Sequence, residues 1–217
     1  MPTILCYGDS NTWGYEPVTG SRLTAQQRWP GALRRGLPAS CEVVEEGLCG
    51  RTVQQDDPYE PGRSGLAYLA PCLASHAPID LVVLMLGTND LKGLFRLDVA
   101  QIARGAARLV REVRQSLAGP GGTPPEVLLV APPPLAAPPR LAEIWGFTAE
   151  SVATSRQLAA YYRRAAEDLG CPFFDAGEIA AASALDGVHL DLPAHEKLGT
   201  ALAGRVRLVL RLVASPT

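Results

Sequence analysis

Short apolar runs alternate along this chain with longer segments in which apolar and polar positions follow a helical period. Five of the runs have the length of a β-strand. One of them, IDLVVLML, is apolar at all but one position, which is typical of a strand buried on both faces. We predict strands at residues 3–7, 41–45, 79–86, 126–131 and 171–174.

The segments between these strands favour helices, and the clearest one places an apolar stripe on one face and its arginines elsewhere. Asp98 precedes that stripe as the predicted N-cap, and Gly170 ends a later helix. The stripe consists of Val99, Ile102, Ala103, Ala106, Leu109, Val110, Val113 and Leu117. We predict helices at residues 98–117, 151–169 and 194–213, and weaker ones at 25–36 and 64–75, each of which contains a proline.

Strands that alternate with helices predict an α/β fold: a three-layer α/β/α sandwich with a central, mostly parallel five-stranded sheet. The chain has 217 residues, of which 47% are hydrophobic and 19% charged. This length and composition predict a single domain over residues 1–217. The formal net charge of −2 and the lack of basic runs argue against nucleic acid or an anionic membrane as the main partner.

The sequence predicts a cytoplasmic protein. It has no apolar run long enough to cross a membrane, and the apolar residues near its start lead directly into a polar motif at Gly8, so we expect no secretory signal. The five cysteines are odd in number and form no C-x-x-C pair, which argues against a disulfide framework and a structural zinc site.

Polar residues and glycines gather after four of the predicted strands. The segments are GDSNTWG at 8–14, EGLCGRT at 46–52, GTND at 87–90 and DGVH at 186–189. Ligands of open parallel sheets bind beyond the carboxyl ends of the strands, so this convergence predicts a functional site. Proline- and glycine-rich segments at 54–63 and 132–140 are interpreted as loops over that site, and the one at 119–125 as a surface connection. For each of the three, a surface loop without a role is the alternative.

Acyl transfer needs a nucleophile, a base, a group that orients the base, and donors for an oxyanion. Ser10 lies at a strand-to-helix turn, and Asp186 lies three residues before His189, close enough to accept from its Nδ1–H. Gly50 and Asn89 are candidate oxyanion donors, together with the backbone N–H of Ser10. Each residue alone also fits a structural role: Ser10 as an N-cap, His189 as a loop residue paired with aspartate, Gly50 as a turn, and Asn89 as a cap.

A metal cluster of Asp186, His189, Asp191 and His195 is a weaker interpretation, because the pairing of Asp186 with His189 explains that aspartate better. His195 lies inside a helical pattern without a partner at useful spacing. His76 is interpreted as a helix C-terminal residue.

The four segments, taken in order, resemble the conserved blocks of the SGNH, or GDSL-type, serine hydrolases. Ser10 matches the nucleophile of the first block, Gly50 and Asn89 match the second and third, and Asp186 with His189 matches the D-x-x-H of the last. The segments GDSNTWG, EEGLCGRT and VLMLGTNDLK are similar to the arylesterase and acyltransferase branch. One departure is Asn11, where the family name implies leucine.

The resemblance implies a flavodoxin-like fold and a cytoplasmic serine esterase that acts on small aryl or short-chain acyl esters without a cofactor. It also implies possible transfer of the acyl group to alcohols or peroxide. We predict that Trp13 and Val188 line the acyl or aryl pocket, while Phe95 and Leu48 fit the core as well. A carbohydrate acetylesterase or a thioesterase with the same machinery remains an alternative, as does a non-catalytic binding module.

Assembly is a further expectation, since the resemblance is to a branch of which some members form oligomers. The apolar segment RLAEIWGF at 140–147 is predicted either as a homo-oligomer interface or as a lid on its own subunit. The expected partners are therefore a small-molecule ester and further copies of the chain, with no nucleic acid and no membrane.

Overall fold

A computed structural model describes residues 1–136 and 145–212. Its centre is a five-stranded sheet in which every neighbouring pair is parallel, with the order β2-β1-β3-β4-β5. The predicted α/β fold with a parallel sheet is thereby confirmed. The strands are β1 (Thr3–Gly8), β2 (Glu42–Gly47), β3 (Leu81–Met85), β4 (Glu126–Ala131) and β5 (Phe173–Asp175).

Seven α-helices accompany these strands within the described residues. None of them is both long and apolar enough to cross a membrane. They are α1 (Ser10–Trp13), α2 (Trp29–Arg35), α3 (Gly65–His76), α4 (Val99–Gln115), α5 (Ala149–Ser155), α6 (Leu158–Leu169) and α7 (Leu192–Val209).

The sheet separates two apolar clusters, because successive side chains of a strand point to opposite faces. On β1, Leu5 and Tyr7 belong to one cluster, while Ile4 and Cys6 belong to the other. All five residues of β3 are buried, as the apolar run predicts for a strand covered on both sides. Helices α3, α4 and α6 cover the first face, and α2 and α7 cover the second.

Helix α4 follows its predicted pattern closely. Asp98 is the N-cap, and it forms a capping box with Gln101. The apolar stripe from Val99 to Val113 is buried. Leu117 departs from the prediction, because the helix ends at Gln115 and the extended backbone of the next residue turns Leu117 outward, where it is 75% exposed.

The segment predicted as one helix over 151–169 forms two helices. The Gln157 N–H donates to the Thr154 carbonyl oxygen in a tighter turn than that of an α-helix. The Ser155 hydroxyl bonds the Val152 carbonyl oxygen at 2.7 Å and accepts from the Leu135 N–H at 3.0 Å. These contacts, two of them within the segment and one from Leu135, lie where α5 ends and α6 begins.

Candidate active site

The site lies at the carboxyl edge of the sheet, where the central strands β1 and β3 end. Ser10 begins α1 two residues after β1, and Asn89 begins a 3₁₀ turn after β3. Gly50 follows β2, while Asp186 and His189 lie in the connection between β5 and α7. The parallel sheet thus brings together groups that are up to 179 residues apart in sequence.

Ser10, His189 and Asp186 form a continuous hydrogen-bonded chain. His189 Nε2 is 2.9 Å from Ser10 Oγ, and His189 Nδ1 is 2.7 Å from Asp186 Oδ2. Each of the three residues is at most 6% exposed. Because a carboxylate accepts, the Nδ1 atom carries the proton, which leaves Nε2 free to accept the serine hydroxyl proton.

The Asp186 carboxylate is fixed by more than the histidine. Its Oδ1 accepts from the backbone N–H groups of Val188 and His189, both at 2.9 Å. Burial acts to raise the pKa of Asp186, but the hydrogen bonds from the His189 ring and from these two N–H groups outweigh it, so the pKa is lowered. The carboxylate therefore stays ionised and is positioned to stabilise an imidazolium.

Ser10 itself is not the cap of its helix. That position belongs to Asp9, whose Oδ1 accepts from the Asn11 N–H at 2.9 Å. The Ser10 hydroxyl is consequently free to bond His189. The structure thus gives the N-cap role to Asp9 and leaves Ser10 as the candidate nucleophile.

The three candidate oxyanion donors belong to residues that line the same cavity. Ser10, Gly50 and Asn89 all line one cavity, and the backbone N–H groups of Ser10 and Gly50 donate no hydrogen bond within the described part of the chain. Gly50 has φ of +78°, a conformation that favours glycine. Asn89 Nδ2 donates to the Arg51 carbonyl oxygen at 3.1 Å, which holds the amide and leaves its second hydrogen available.

This cavity has a volume of about 230 Å³ and a mixed aromatic and polar lining. Val188 contributes to the wall, as the sequence predicts. Trp13 does not appear among the described lining residues, and the Arg22 guanidinium lies 5.1 Å from the centre of its indole. The lining residues are Ser10, Tyr15, Cys49, Gly50, Glu60, Arg63, Asn89, Lys92, Trp145, Phe147, Val188 and His189.

Tyr15 is a site residue that the sequence patterns did not single out. Its ring stacks on the His189 imidazole, with the centroids 4.1 Å apart and an interplanar angle of 29°. Trp145 meets the same imidazole edge-on at 6.3 Å. An aromatic residue five positions after the serine carries no signal by itself, because only the fold brings it to His189.

The loop predictions have separate outcomes. The segment 54–63 supplies Glu60 and Arg63 to the cavity wall, while 119–125 contains a short 3₁₀ turn away from it. The segment 132–140 is described only to residue 136, and residues 137–144, which include most of the predicted interface segment 140–147, lie outside the described residues.

Cys49 also lines the cavity, next to Gly50. Burial, followed by the charge of Asp9, raises the pKa of the Cys49 thiol to about 11. The thiol is therefore protonated near neutral pH, and it lacks the thiolate character of a reactive cysteine.

The residues of the alternative metal cluster are engaged separately. Asp191 caps α7 by accepting from the Ala194 N–H at 2.9 Å. His195 is fully buried, and its Nδ1 accepts from the Trp29 N–H at 3.2 Å. Burial lowers the pKa of His195 to about 4, so its ring is neutral. Neither Asp191 nor His195 lines the cavity of Ser10 within the described residues.

Glu46, Cys72 and His76 form a separate polar cluster between β2 and the end of α3. His76 Nε2 lies 2.7 Å from Glu46 Oε1, and the Arg51 guanidinium lies 4.0 Å from the other carboxylate oxygen. The Glu46 charge is thus already paired with donors from the protein. His76 is the last residue of α3, as interpreted from the sequence.

Comparison with known proteins agrees with this geometry. A family model described as the GDSL-like Lipase/Acylhydrolase family matches residues 6–197. The aryl esterase of M. smegmatis is 42% identical and superposes with a TM-score of 0.91, over 96% of this chain and 99% of that chain. Est24, a carbohydrate acetylesterase from Sinorhizobium meliloti, is 39% identical with a TM-score of 0.90, over 96% of this chain and all of that chain.

A more distant likeness extends to the fold alone. The lipase/acylhydrolase from Enterococcus faecalis is 18% identical with a TM-score of 0.69, and both chains are covered completely. Comparison with curated protein sequences gives no match. The family model spans most of the chain, and the SGNH resemblance seen in the sequence is confirmed. The chain therefore belongs to the GDSL-like lipase/acylhydrolase family and is a carboxylic ester hydrolase.

Proposed function

We propose that this esterase hydrolyses small aryl and short-chain acyl esters through an acyl-enzyme on Ser10. The observation that carries the proposal is the chain of two hydrogen bonds from Ser10 Oγ through His189 to Asp186. Ser10 and His189 also line the 230 Å³ cavity. All the proposed steps use protein groups, the ester and water, so no cofactor is required.

In acylation, Ser10 Oγ attacks the ester carbonyl carbon while His189 Nε2 takes the hydroxyl proton. The carbonyl π electrons move to oxygen, and the oxyanion accepts hydrogen bonds from the N–H groups of Ser10 and Gly50 and from the Asn89 amide. Collapse of this intermediate breaks the bond to the leaving oxygen, which receives the proton from His189. Asp186 orients the imidazole and stabilises its charged form.

In deacylation, water donates its proton to His189 and attacks the acyl carbon. The bond from that carbon to Ser10 Oγ then breaks and His189 returns the proton to Oγ, which releases the acid and restores the Ser10 hydroxyl. An alcohol or peroxide in place of water would accept the acyl group and give an ester or a peracid. We propose this transfer as a second outcome of the same acyl-enzyme. The apolar faces of Tyr15, Phe147 and Val188 support it, because they reduce the space for water around the acyl group.

The size of the cavity supports small substrates. A volume of 230 Å³ lies below the usual range for a drug-sized ligand, and aromatic rings on its wall suit a flat leaving group. Similarity to a protein described as an aryl esterase adds to this argument. A long acyl chain would have to extend past the wall into solvent.

A carbohydrate acetylesterase is the second candidate, and one observation favours it. Glu60, Arg63 and Lys92 place charged groups on the cavity wall, where they could bind sugar hydroxyls. A relative with 39% identity is described as acting on carbohydrate acetates. A thioesterase would use the same serine chemistry. Turnover of phenyl acetate, an acetylated xylose and an acetyl thioester under equal conditions separates the three.

The decisive test of the nucleophile compares p-nitrophenyl acetate turnover by the wild type and Ser10→Ala, with a chelator present in both. We expect the variant to lose at least about 10³-fold in kcat, since it retains only binding and oxyanion contacts. Equal activity would exclude Ser10 as the nucleophile. An inactive wild type that fluorophosphonate does not label at Ser10 would favour the binding module.

We further propose that residues 1–217 form one cytoplasmic domain that assembles into a homo-oligomer. Five free cysteines, four of them buried, support a reducing compartment. The exposed Leu117 beside an apolar groove of α3 and α4 supports a contact between copies. Light scattering tests the assembly, and a strict monomer would contradict it.

A further inference from the structure

Asn11 follows Ser10 in sequence, and its buried side chain reaches the loop that carries His189. The residue is 2% exposed. Its Oδ1 accepts from the Leu190 N–H at 2.9 Å, and its Nδ2 donates to the Val188 carbonyl oxygen at 3.4 Å. One side chain therefore binds the peptide groups on both sides of His189.

A carboxamide matches the chemistry of these two contacts. The Leu190 N–H can only donate, and the Val188 carbonyl can only accept, so the side chain between them must offer one acceptor and one donor. Leucine, which the family name implies at this position, offers neither. Aspartate offers the acceptor, but its second oxygen would face the Val188 carbonyl.

The remaining contacts of the His189 backbone are local to its own loop. Asp186 binds the N–H groups of Val188 and His189, and the Ser183 N–H donates to the His189 carbonyl oxygen at 2.7 Å. Among the described residues, the hydrogen bonds between segments 8–14 and 183–191 are the two made by Asn11 and the Ser10–His189 bond itself. The loop is also held by the segment after β4, where the Ala136 N–H donates to the Gly187 carbonyl oxygen at 2.9 Å. Asn11 supplies the hydrogen bonds that fix the place of the loop backbone relative to α1.

We propose that Asn11 is a positioning residue, which holds the His189 loop at the distance from Ser10 that proton transfer requires. The inference rests on the proposed function, in which His189 takes the Ser10 proton. A general base must lie within hydrogen-bond reach of the proton it removes, and a misplacement of about 1 Å can cost about 10²-fold in rate. Asn11 does not line the cavity within the described residues, so we expect its loss to act on the chemical step and not on substrate binding.

The test compares Asn11→Leu and Asn11→Asp with Thr12→Val. Thr12 is the next residue of α1, is fully buried, and its hydroxyl has no hydrogen-bond partner in the described structure, so its replacement controls for a change inside the same helix. We expect Asn11→Leu to lower kcat for p-nitrophenyl acetate by about 10- to 100-fold with KM within about twofold. The kcat of Asn11→Asp should lie between those of Asn11→Leu and Thr12→Val, because the aspartate keeps the bond to the Leu190 N–H.

Rates are compared at the plateau of each variant's pH–rate profile, and near-UV circular dichroism verifies folding. If Asn11→Leu does not fold, Asn11→Asp alone decides the comparison. A kcat within about threefold of Thr12→Val in the folded Asn11 variants, even with a lower Tm, would reduce Asn11 to a structural role and overturn the proposal.

A second measurement separates this inference from the serine mechanism. Amide hydrogen exchange at Leu190 is followed in the Ser10→Ala background, where catalysis plays no part. We expect Asn11→Leu to lower the protection of this amide at least about 10-fold and Thr12→Val to leave it unchanged. Unchanged protection in Asn11→Leu would contradict the claim that Asn11 holds the His189 loop. Turnover by Ser10→Ala would contradict only the assignment of Ser10 as the nucleophile.

Discussion

The aromatic ring of Tyr15 lies flat against the imidazole of His189, with 4.1 Å between the ring centroids. The contact covers one face of the base, while its edge atoms Nδ1 and Nε2 remain bonded to Asp186 and Ser10. An aromatic face also attracts a cation, so the stack suits the imidazolium of the proposed mechanism. Tyr15 thus lines the cavity and supports the base at the same time.

Replacing Tyr15 should separate these two effects. Tyr15→Phe keeps the ring, and we expect its kcat to stay within about threefold of the wild type. Tyr15→Ala removes the ring, and we expect kcat to fall by about 10-fold and the preferred acyl chain to lengthen as the cavity opens. Kinetics on p-nitrophenyl esters from acetate to octanoate measure both.

Trp13→Leu is the matched control, because this nearby aromatic residue does not line the described cavity. An unchanged chain-length profile in Tyr15→Ala would contradict the assignment of Tyr15 to the pocket. A change of profile in Trp13→Leu alone would favour the pocket residue predicted from the sequence instead.

The Asn89 side chain is expected to act on the transition state. We expect Asn89→Ala to lower kcat by about 10²–10³-fold with little change in KM, on the precedent of other oxyanion donors. Thr88→Ser serves as the control, since it keeps the hydroxyl beside Asp9 and precedes the same 3₁₀ turn. A loss of less than about threefold in Asn89→Ala would exclude its amide from the oxyanion hole.

The orienting role proposed for Asp186 leads to a separate expectation. In Asp186→Asn, the amide can present its NH₂ group to His189 Nδ1, which favours the tautomer with the proton on Nε2. That tautomer cannot accept the Ser10 proton, so we expect kcat to fall by about 10⁴-fold while the fold is retained. Asp191→Asn, at the N-cap of α7, should keep near wild-type turnover. Equal losses in the two variants would indicate general destabilisation.

The sheet and its carboxyl edge were predictable from the sequence because buried parallel strands leave continuous apolar runs, as in Leu81–Met85. The polar residues after those runs then share one edge by topology. Contacts between side chains and loops that are distant in sequence leave no periodic pattern in the sequence. The stack of Tyr15 on His189 and the two bonds of Asn11 depend on residues 174 to 179 positions away, and only the folded chain reveals them.

Helix ends were less predictable for a similar reason. The split between α5 and α6 involves a hydrogen bond from the Leu135 N–H to the Ser155 hydroxyl. Leu135 belongs to another segment of the chain, so the helical pattern itself does not show this bond. Exposure of Leu117 depends on where α4 ends, and an apolar residue two positions past the last helical residue fits the periodic stripe of the sequence equally well.

Asp90 is a buried carboxyl group beside the site, and it supports the segment that follows Gly50. Both its carboxyl oxygens lie within hydrogen-bond distance of the Val53 N–H, at 3.1 and 2.9 Å. Burial raises its pKa to about 7, the Val53 bond acts against that rise, the Asp9 charge adds to it, and Lys92 lowers it. Burial likewise raises the pKa of Asp9, to about 6.

This elevated pKa predicts the sign of a pH effect on stability. Between about pH 4 and 7 the folded protein holds a proton on Asp90 that the unfolded chain has released, so the unfolding free energy falls as the pH rises through that window. Asp90→Asn has no such proton. Over this pH range we expect the unfolding free energy of Asp90→Asn to fall less than that of the wild type, and the two decreases to differ by about 2–4 kcal/mol.

Urea unfolding at several pH values measures the difference, with Asp98→Asn as the control for replacing an aspartate that binds backbone N–H groups. Asp9→Asn in the wild-type and Asp90→Asn backgrounds shows how far the two buried carboxyl groups share the effect, because coupled sites titrate together. If Asp90→Asn and the wild type lose stability in parallel as the pH rises, Asp90 is ionised throughout, and its raised pKa is contradicted.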